Sequence, residues 1–161
     1  MHGRWILISL ILLTLPSFSQ TSRSQQKINH CSDRRKYTQD RDVIESVCVL
    51  VNRSRARLGL SQLRLDPGLS EVAQAYAEDM ARRNYFSHTN PEGELAGFRL
   101  GLAGIDWKAW GENIAAYHPT PTAVMRAWMN SSGHRANILS RKYRNIGIGY
   151  YQNYWVQIFT D

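Results

Sequence analysis

The stretch that decides the fold is Ile146-Gly147-Ile148-Gly149-Tyr150-Tyr151-Gln152-Asn153-Tyr154-Trp155-Val156-Gln157-Ile158-Phe159. Ile146, Ile148 and Tyr150 alternate with Gly147 and Gly149, which is the period of a strand. Gln152-Asn153 supplies a turn. Tyr154, Val156 and Ile158 then alternate with Trp155, Gln157 and Phe159. Both sets on this second strand are largely apolar, so it is expected to be buried on both faces. Such a sheet is a middle layer with helices on each side. Gly147 and Gly149 leave one face of the first strand without side chains, where a ring or a helix can pack close.

Upstream, the period changes. Ile44, Val47, Cys48, Val51 and Leu58 recur at three and four, a helical stripe that starts near Asp40. Asp40, Asp42 and Glu45 fall in its first turns and Arg53, Arg55 and Arg57 in its last, as the helix dipole favours. Gly59 is the expected stop. Asp66-Pro67 opens a second helix, a capping side chain followed by proline. Leu69, Val72, Ala73, Tyr76 and Met80 form its buried stripe, and it ends near Asn84. Thr89 to Gly104 carries four glycines and one proline and reads as loop, with a short helix near Leu100. Gly111 to Ala116 reads as a short strand. Thr120-Pro121 opens a third helix through Val124 and Trp128, which Gly133 is expected to break.

The 161 residues open with a different composition. Trp5 to Leu15 is an apolar run broken only by Ser9 and Thr14, followed by small residues at Ser17 and Ser19. That is the layout of a secretory leader over 1–19. The run is shorter than the roughly 20 apolar residues that cross a bilayer, and no later stretch qualifies, so no transmembrane segment is expected. Residues 20–39 are polar and without period and read as a flexible arm, and 40–161 as one domain. Secretion into the medium, periplasm or cell wall is expected, as a monomer. Cys31 and Cys48 have two readings in such a compartment: a bridge pinning the arm to the domain, or two free thiols. Net charge is +7, with 16 arginines among 20 basic residues. A basic secreted protein favours anionic partners such as lipid headgroups or cell-surface polymers. The arginines are spread along the chain and no nucleic-acid motif is present, so nucleic acid is not expected as a partner.

Three short motifs bring titratable side chains out of packed segments: Phe86-Ser87-His88, Gly111-Glu112-Asn113 and Ser132-Gly133-His134-Arg135. A carboxylate entering a buried strand must be paired or hydrogen-bonded. If the fold gathers them, His88, Glu112 and His134 share one cleft, with Asn113 and Ser131 at its border. Two imidazoles, His88 and His134, could then hold zinc or another divalent ion, or polarise a water. Ser131, His134 and Glu112 also imitate a hydrolase triad. No nucleophile elbow and no His-Glu-x-x-His helix support that reading, so an enzyme is the less expected outcome.

Leu50 to Leu60 has the form Leu-Val-Asn-x-x-Arg-x-x-x-Gly-Leu. Together with Ala77-Glu78-Asp79-Met80-Ala81, the three motifs above, Trp128 to Leu139 and the closing hairpin, it resembles the CAP superfamily, in its bacterial form. That superfamily groups cysteine-rich secretory proteins, antigen 5 and pathogenesis-related 1. The resemblance runs from about Asp42 to Phe159. It implies an α/β protein, an α-β-α sandwich with a small, mainly antiparallel central sheet, and a shallow cleft of two histidines and two acids that binds a divalent ion in some members. His88, Glu112 and His134 match three of those positions. The fourth is Ser131, not a carboxylate; Glu92, Glu94 and Asp106 are the nearby substitutes. The function implied is extracellular binding of a divalent metal, a lipid or another cell-surface component, with a metal- or serine-dependent hydrolase as the alternative. One CAP scaffold serves unrelated tasks, so the fold leaves the ligand open.

Overall fold

The computed structural model describes residues 41–161. The leader over 1–19, the arm over 20–39 and Cys31 lie outside the described residues. Helix α1 covers 41–56 and buries Val47 and Val51. Its inward stripe continues not to Leu58 but to Arg55, one further turn along. The helix has ended before Leu58, and the turn closed by Gly59 at φ +64° leaves that leucine 59% exposed. Arg55 is buried with no carboxylate beside it. Its Nε donates to Ser61 O at 2.8 Å, and its Nη1 donates to Ile138 O and Ser140 O at 2.8 Å each. Burial, and then the charge of Arg141, pull its pKa below the ordinary arginine value. Three carbonyls replace the lost hydration, so the cation ties α1 to the far end of the chain. Cys48 on α1 is a half-buried free thiol among the described residues.

A two-residue strand, β1 (Arg64–Leu65), precedes α2 (Pro67–Arg82). Asp66 caps α2 through its side chain, which accepts from Leu69 N at 3.0 Å, with proline in the first turn as the sequence implies. There follow α3 (Ala96–Leu102), β2 (Trp110–Ala116), α4 (Pro121–Asn130), α5 (Ser132–Ile138), β3 (Asn145–Tyr151) and β4 (Tyr154–Thr160). The sheet order is β1-β3-β4-β2. β1 lies parallel to β3, and the β3/β4 and β4/β2 pairs are antiparallel. Gln152 and Asn153 both take positive φ, which a two-residue hairpin turn requires.

The hairpin reading holds residue by residue. Every residue of β4 is buried. Tyr154, Val156 and Ile158 pack with Leu69, Ala73, Tyr76 and Met80 of α2 and Leu100 of α3. Trp155 and Phe159 point the other way, into Val47, Val51, Val124, Trp128 and Ile138 of α1, α4 and α5. The sheet is the middle layer of an α-β-α sandwich. On the α2 side, β3 presents Gly147 and Gly149 directly to helix backbone. A Cβ on Gly147 would stand 2.2 Å from the carbonyl carbon of Leu69, and one on Gly149 2.3 Å from that of Ala73.

Gly147→Ala must therefore lift α2 from the sheet. Urea denaturation is expected to show a loss of about 3 kcal/mol or more. Gly101→Ala, on α3 with nothing within 4 Å of the new methyl, is expected to be neutral or to stabilise by up to about 1 kcal/mol.

Candidate functional site

β2 is an edge strand, so both helical layers reach round it. Side chains alternate along a strand, and Glu112 and Asn113 therefore address opposite layers. Glu112 turns to the α2/α3 side and is 2% exposed. Asn113 turns to the α5 side and is fully buried.

His88 lies in the loop beyond α2. Asn84 at φ +54° turns the chain after the helix, and Tyr76 Oη on α2 donates to Ser87 O at 2.6 Å, which pins the residue before the histidine. His88 Nδ1 lies 2.7 Å from Glu112 Oε1, while 49% of the His88 side chain stays exposed. A carboxylate on Nδ1 selects the tautomer that leaves Nε2 as the outward acceptor. The second carboxylate oxygen is occupied too. Arg99 Nη2, from α3, donates to Glu112 Oε2 at 2.5 Å. Arg99 Nη1 donates to Glu94 O at 2.8 Å, and the guanidinium lies over the Tyr76 ring, 3.4 Å from its centroid. Glu112 is thus a buried acid neutralised by a largely covered arginine, 11% exposed, and met at the surface by an imidazole.

His134 arrives from the first turn of α5. Its carbonyl accepts from Asn113 Nδ2 at 3.1 Å. Asn113 Nδ2 also donates to Gln157 Oε1 at 3.0 Å, and Asn113 Oδ1 accepts from Asn137 Nδ2 at 2.9 Å. Asn137 Nδ2 donates as well to Glu112 O at 3.1 Å. The His134 pKa is held below the ordinary histidine value, first by burial and then by the charge of His88. The imidazoles are electrostatic neighbours.

Of the residues singled out from sequence, His88 and Glu112 meet directly. His134 feels the charge of His88, and Asn113 bonds its backbone carbonyl. Ser131 is the junction between α4 and α5, in extended conformation at φ −94°, ψ 125°. The helix break falls there and not at Gly133, which lies inside α5, because Ser131 itself leaves the helical region. Among the described residues no hydrogen bond joins Ser131 to His134, and Glu112 gives its carboxylate to His88 and Arg99 in place of His134. Two of the three acids that could replace the missing one are engaged elsewhere: Glu92 takes both Arg83 guanidinium nitrogens, and Glu94 accepts from Asn90. Arg99 is the residue that sequence reasoning missed. Its signal was elimination: it is the sole lysine or arginine between Arg83 and Lys108, and a buried carboxylate nearby needs a cation.

Among the described residues no group of three or more His, Cys, Asp or Glu side chains is arranged to hold a metal ion. The donors on offer are two imidazoles, His88 through Nε2 and His134. Two imidazoles alone do not make a closed centre of four protein ligands.

A layered α-β-α fold with the Gly-Glu-Asn strand between two histidine loops defines a class, and the comparisons name it. The family described as CAP, the cysteine-rich secretory protein family, matches residues 49–159. The chain belongs to this family. The Bacillus subtilis protein YkwD is 41% identical over 117 residues, covering 71% of this chain and 46% of its own length. The Bacillus subtilis membrane protein YlbC is 36% identical over 110 residues, covering 68% of this chain and 32% of that protein. The chain thus spans less than half the length of these curated relatives. Among solved structures, an extracellular SCP-domain protein from Bacillus anthracis superposes with a TM-score of 0.73 at 34% identity, over 75% of this chain and 41% of that one. An outer surface protein of Borrelia burgdorferi shares the fold at 22% identity and a TM-score of 0.69, over 74% of this chain and 92% of that one.

Arg99→Met leaves Glu112 buried with His88 alone. The expected loss is about 3 kcal/mol in chemical denaturation, and adding Glu112→Gln to that variant is expected to recover part of it, a coupling read by the double-mutant cycle. The lowered His134 pKa fixes a pH response as well. Between the folded and unfolded values the unfolded chain binds the extra proton, so this contribution to stability is complete above the unfolded value and is lost as pH falls through the folded one. Thermal midpoints measured from pH 7.5 down to 5 are expected to fall less steeply for His134→Gln than for the native chain.

Proposed function

We propose that the chain is a secreted, extracellular binding module that receives a polar group of its ligand on His88 and His134. A divalent cation is the simplest such group. The observation that carries the reading is the Glu112 carboxylate, held on both oxygens. Arg99 neutralises it, and it orients His88 so that Nε2 faces outward on a half-exposed ring. A site built this way presents an acceptor without presenting net negative charge. Asn113 positions the second imidazole, and Ser131 stands at the rim. The secreted setting is supported by the relatives: the Bacillus anthracis neighbour is an extracellular protein and the Borrelia burgdorferi one an outer surface protein. Among the described residues no helix is long and apolar enough to cross a membrane. A lipid or an anionic cell-surface component is the partner class that such a setting and the +7 charge favour.

The serine-dependent hydrolase reading needs hydrogen bonds from Ser131 to His134 and from His134 to Glu112, and among the described residues neither is made; Glu112 serves His88 and Arg99.

Calorimetry with zinc at pH 7.5 tests the reading. The native chain is expected to take up one ion, reversibly and removed by dialysis, and the His88→Ala/His134→Ala protein to take up none. A native chain that gives no heat, or a double variant that titrates like it, would overturn the proposal. So would peptide or ester cleavage abolished by Ser131→Ala.

A further inference from the structure

The fold creates a second polar site, on the opposite helical layer from Glu112. Between α1 and α4 runs a groove of about 240 Å³. Arg53 on α1 and Arg57, just past its end, line it four residues apart, and Thr122 and Arg126 line it from α4, one turn apart. Leu50 and Met125 are apolar members of its lining. Among the described residues none of the three arginines has an ion-pair partner, and no lining residue is acidic.

Those charges are not explained by the helices that carry them. Arg53 and Arg57 suit the closing turns of α1, but as like charges four apart they repel. Arg126 lies at the middle of α4, outside the turns where the helix dipole acts, and α4 carries no acid to pair with it. Three exposed arginines thus line one concave surface, where an anion would offset their like charge. We propose that this groove binds a phosphoryl group.

The chemistry selects phosphate over carboxylate. Forked donors approach from both walls, and a hydroxyl is added by Thr122. A planar carboxylate has two oxygens and is satisfied by a single fork, whereas a tetrahedral phosphoryl oxyanion offers oxygens to both walls at once. The volume lies below the roughly 300–1,000 Å³ of pockets that enclose a whole drug-sized ligand. It suits a headgroup with a few carbon atoms, whose apolar part meets Leu50 and the adaptable Met125. The same phosphoryl chemistry can arrive as a free phosphomonoester or as a lipid headgroup, and the experiment separates the two.

The full chain is titrated with glycerol 3-phosphate by calorimetry at low salt, and in parallel sedimented with phosphatidylglycerol or phosphatidylcholine vesicles. Two triple variants are compared: Arg53→Gln/Arg57→Gln/Arg126→Gln, and a control that removes the same charge elsewhere, Arg64→Gln/Arg141→Gln/Arg144→Gln. All six positions are exposed, and both proteins are expected to fold. The expected result is saturable binding by the native and control proteins and a loss of at least about tenfold in affinity in the groove variant, the scale of one charge-assisted hydrogen bond. Binding of the free ester supports the site with a soluble ligand. Binding confined to phosphatidylglycerol vesicles supports it with a headgroup ligand. Equal loss in both triple variants assigns the effect to diffuse charge and overturns the proposal, as does binding to neither probe. The zinc titration should be unchanged in the groove variant, and phosphate affinity unchanged in His88→Ala/His134→Ala, so either site can fail without the other.

Discussion

The side-chain amide of Asn113 is the joint on which the site depends. It is fully buried, yet it bonds an edge strand to the central strand through Gln157 and to helix α5 through both the carbonyl of His134 and the side chain of Asn137. An amide with these bonds inside a low-dielectric interior has one acceptable orientation, because any other leaves buried polar groups unpaired. The first turn of α5 is thereby set against β2, and the His134 ring is carried with it. The residue before Asn113 does the complementary task on the other face. Two consecutive strand positions thus bind two different layers, and this is why the Gly-Glu-Asn sequence can organise a site that no single layer contains. Gly111 is part of the arrangement, since a methyl there would meet Tyr143 Oη at 2.5 Å.

What was legible in the sequence is what hydrophobic period writes directly. The hairpin, its turn, the double burial of Tyr154 to Phe159 and the glycine face of β3 all follow from residue type at alternate positions. So do the starts of α2 and α4, where a capping side chain precedes proline. The parts that were not legible rest on backbone acceptors or on partners distant in sequence. Arg55 reads as one more cation in the last turn of a helix. It is a buried strut because carbonyls 83 and 85 residues away accept from it, and a carbonyl carries no residue signature. β1 is two residues long and pairs in parallel, too short for any alternation to show. In the 89–104 segment the short helix near Leu100 was legible and is α3, but nothing in its residues showed that its arginine neutralises Glu112. Ser131 broke the helix two residues before the glycine, because an extended serine serves a helix junction as well as glycine does.

Arginine has three different fates in this chain, and the net charge of +7 conceals them. Arg55 spends its donors on carbonyls inside the protein. Arg99 spends part of its donors on a carboxylate and its flat face on Tyr76. Both cations are engaged inside the protein, Arg55 by carbonyls and Arg99 by Glu112. The electrostatic field that a partner meets is made by exposed arginines, and the fold gathers three of these in one groove. Composition alone therefore misstates both the amount of positive charge available for binding and its location.

The two helical layers are attached to the sheet by different physics, and the placement of the imidazoles follows from that difference. Against α2, β3 offers glycine to backbone at distances that leave no room for a side chain, so the contact is dry, flat and intolerant of displacement. On the other side, α5 is held at its start by the Asn113 amide and at its end by the Arg55 guanidinium. These are directional contacts that fix a backbone segment without enclosing it. A segment fixed that way can keep one face in solvent while its position is set to within a hydrogen-bond length. His134 is on such a segment. His88 is on a loop held by the Tyr76–Ser87 bond, by Tyr85 N donating to Met80 O, by the Phe86 ring against Tyr154 and by its own contact with Glu112. The two imidazoles therefore reach the sheet edge on different supports, His134 on a helix turn docked by directional bonds and His88 on a loop tied to α2 and β2.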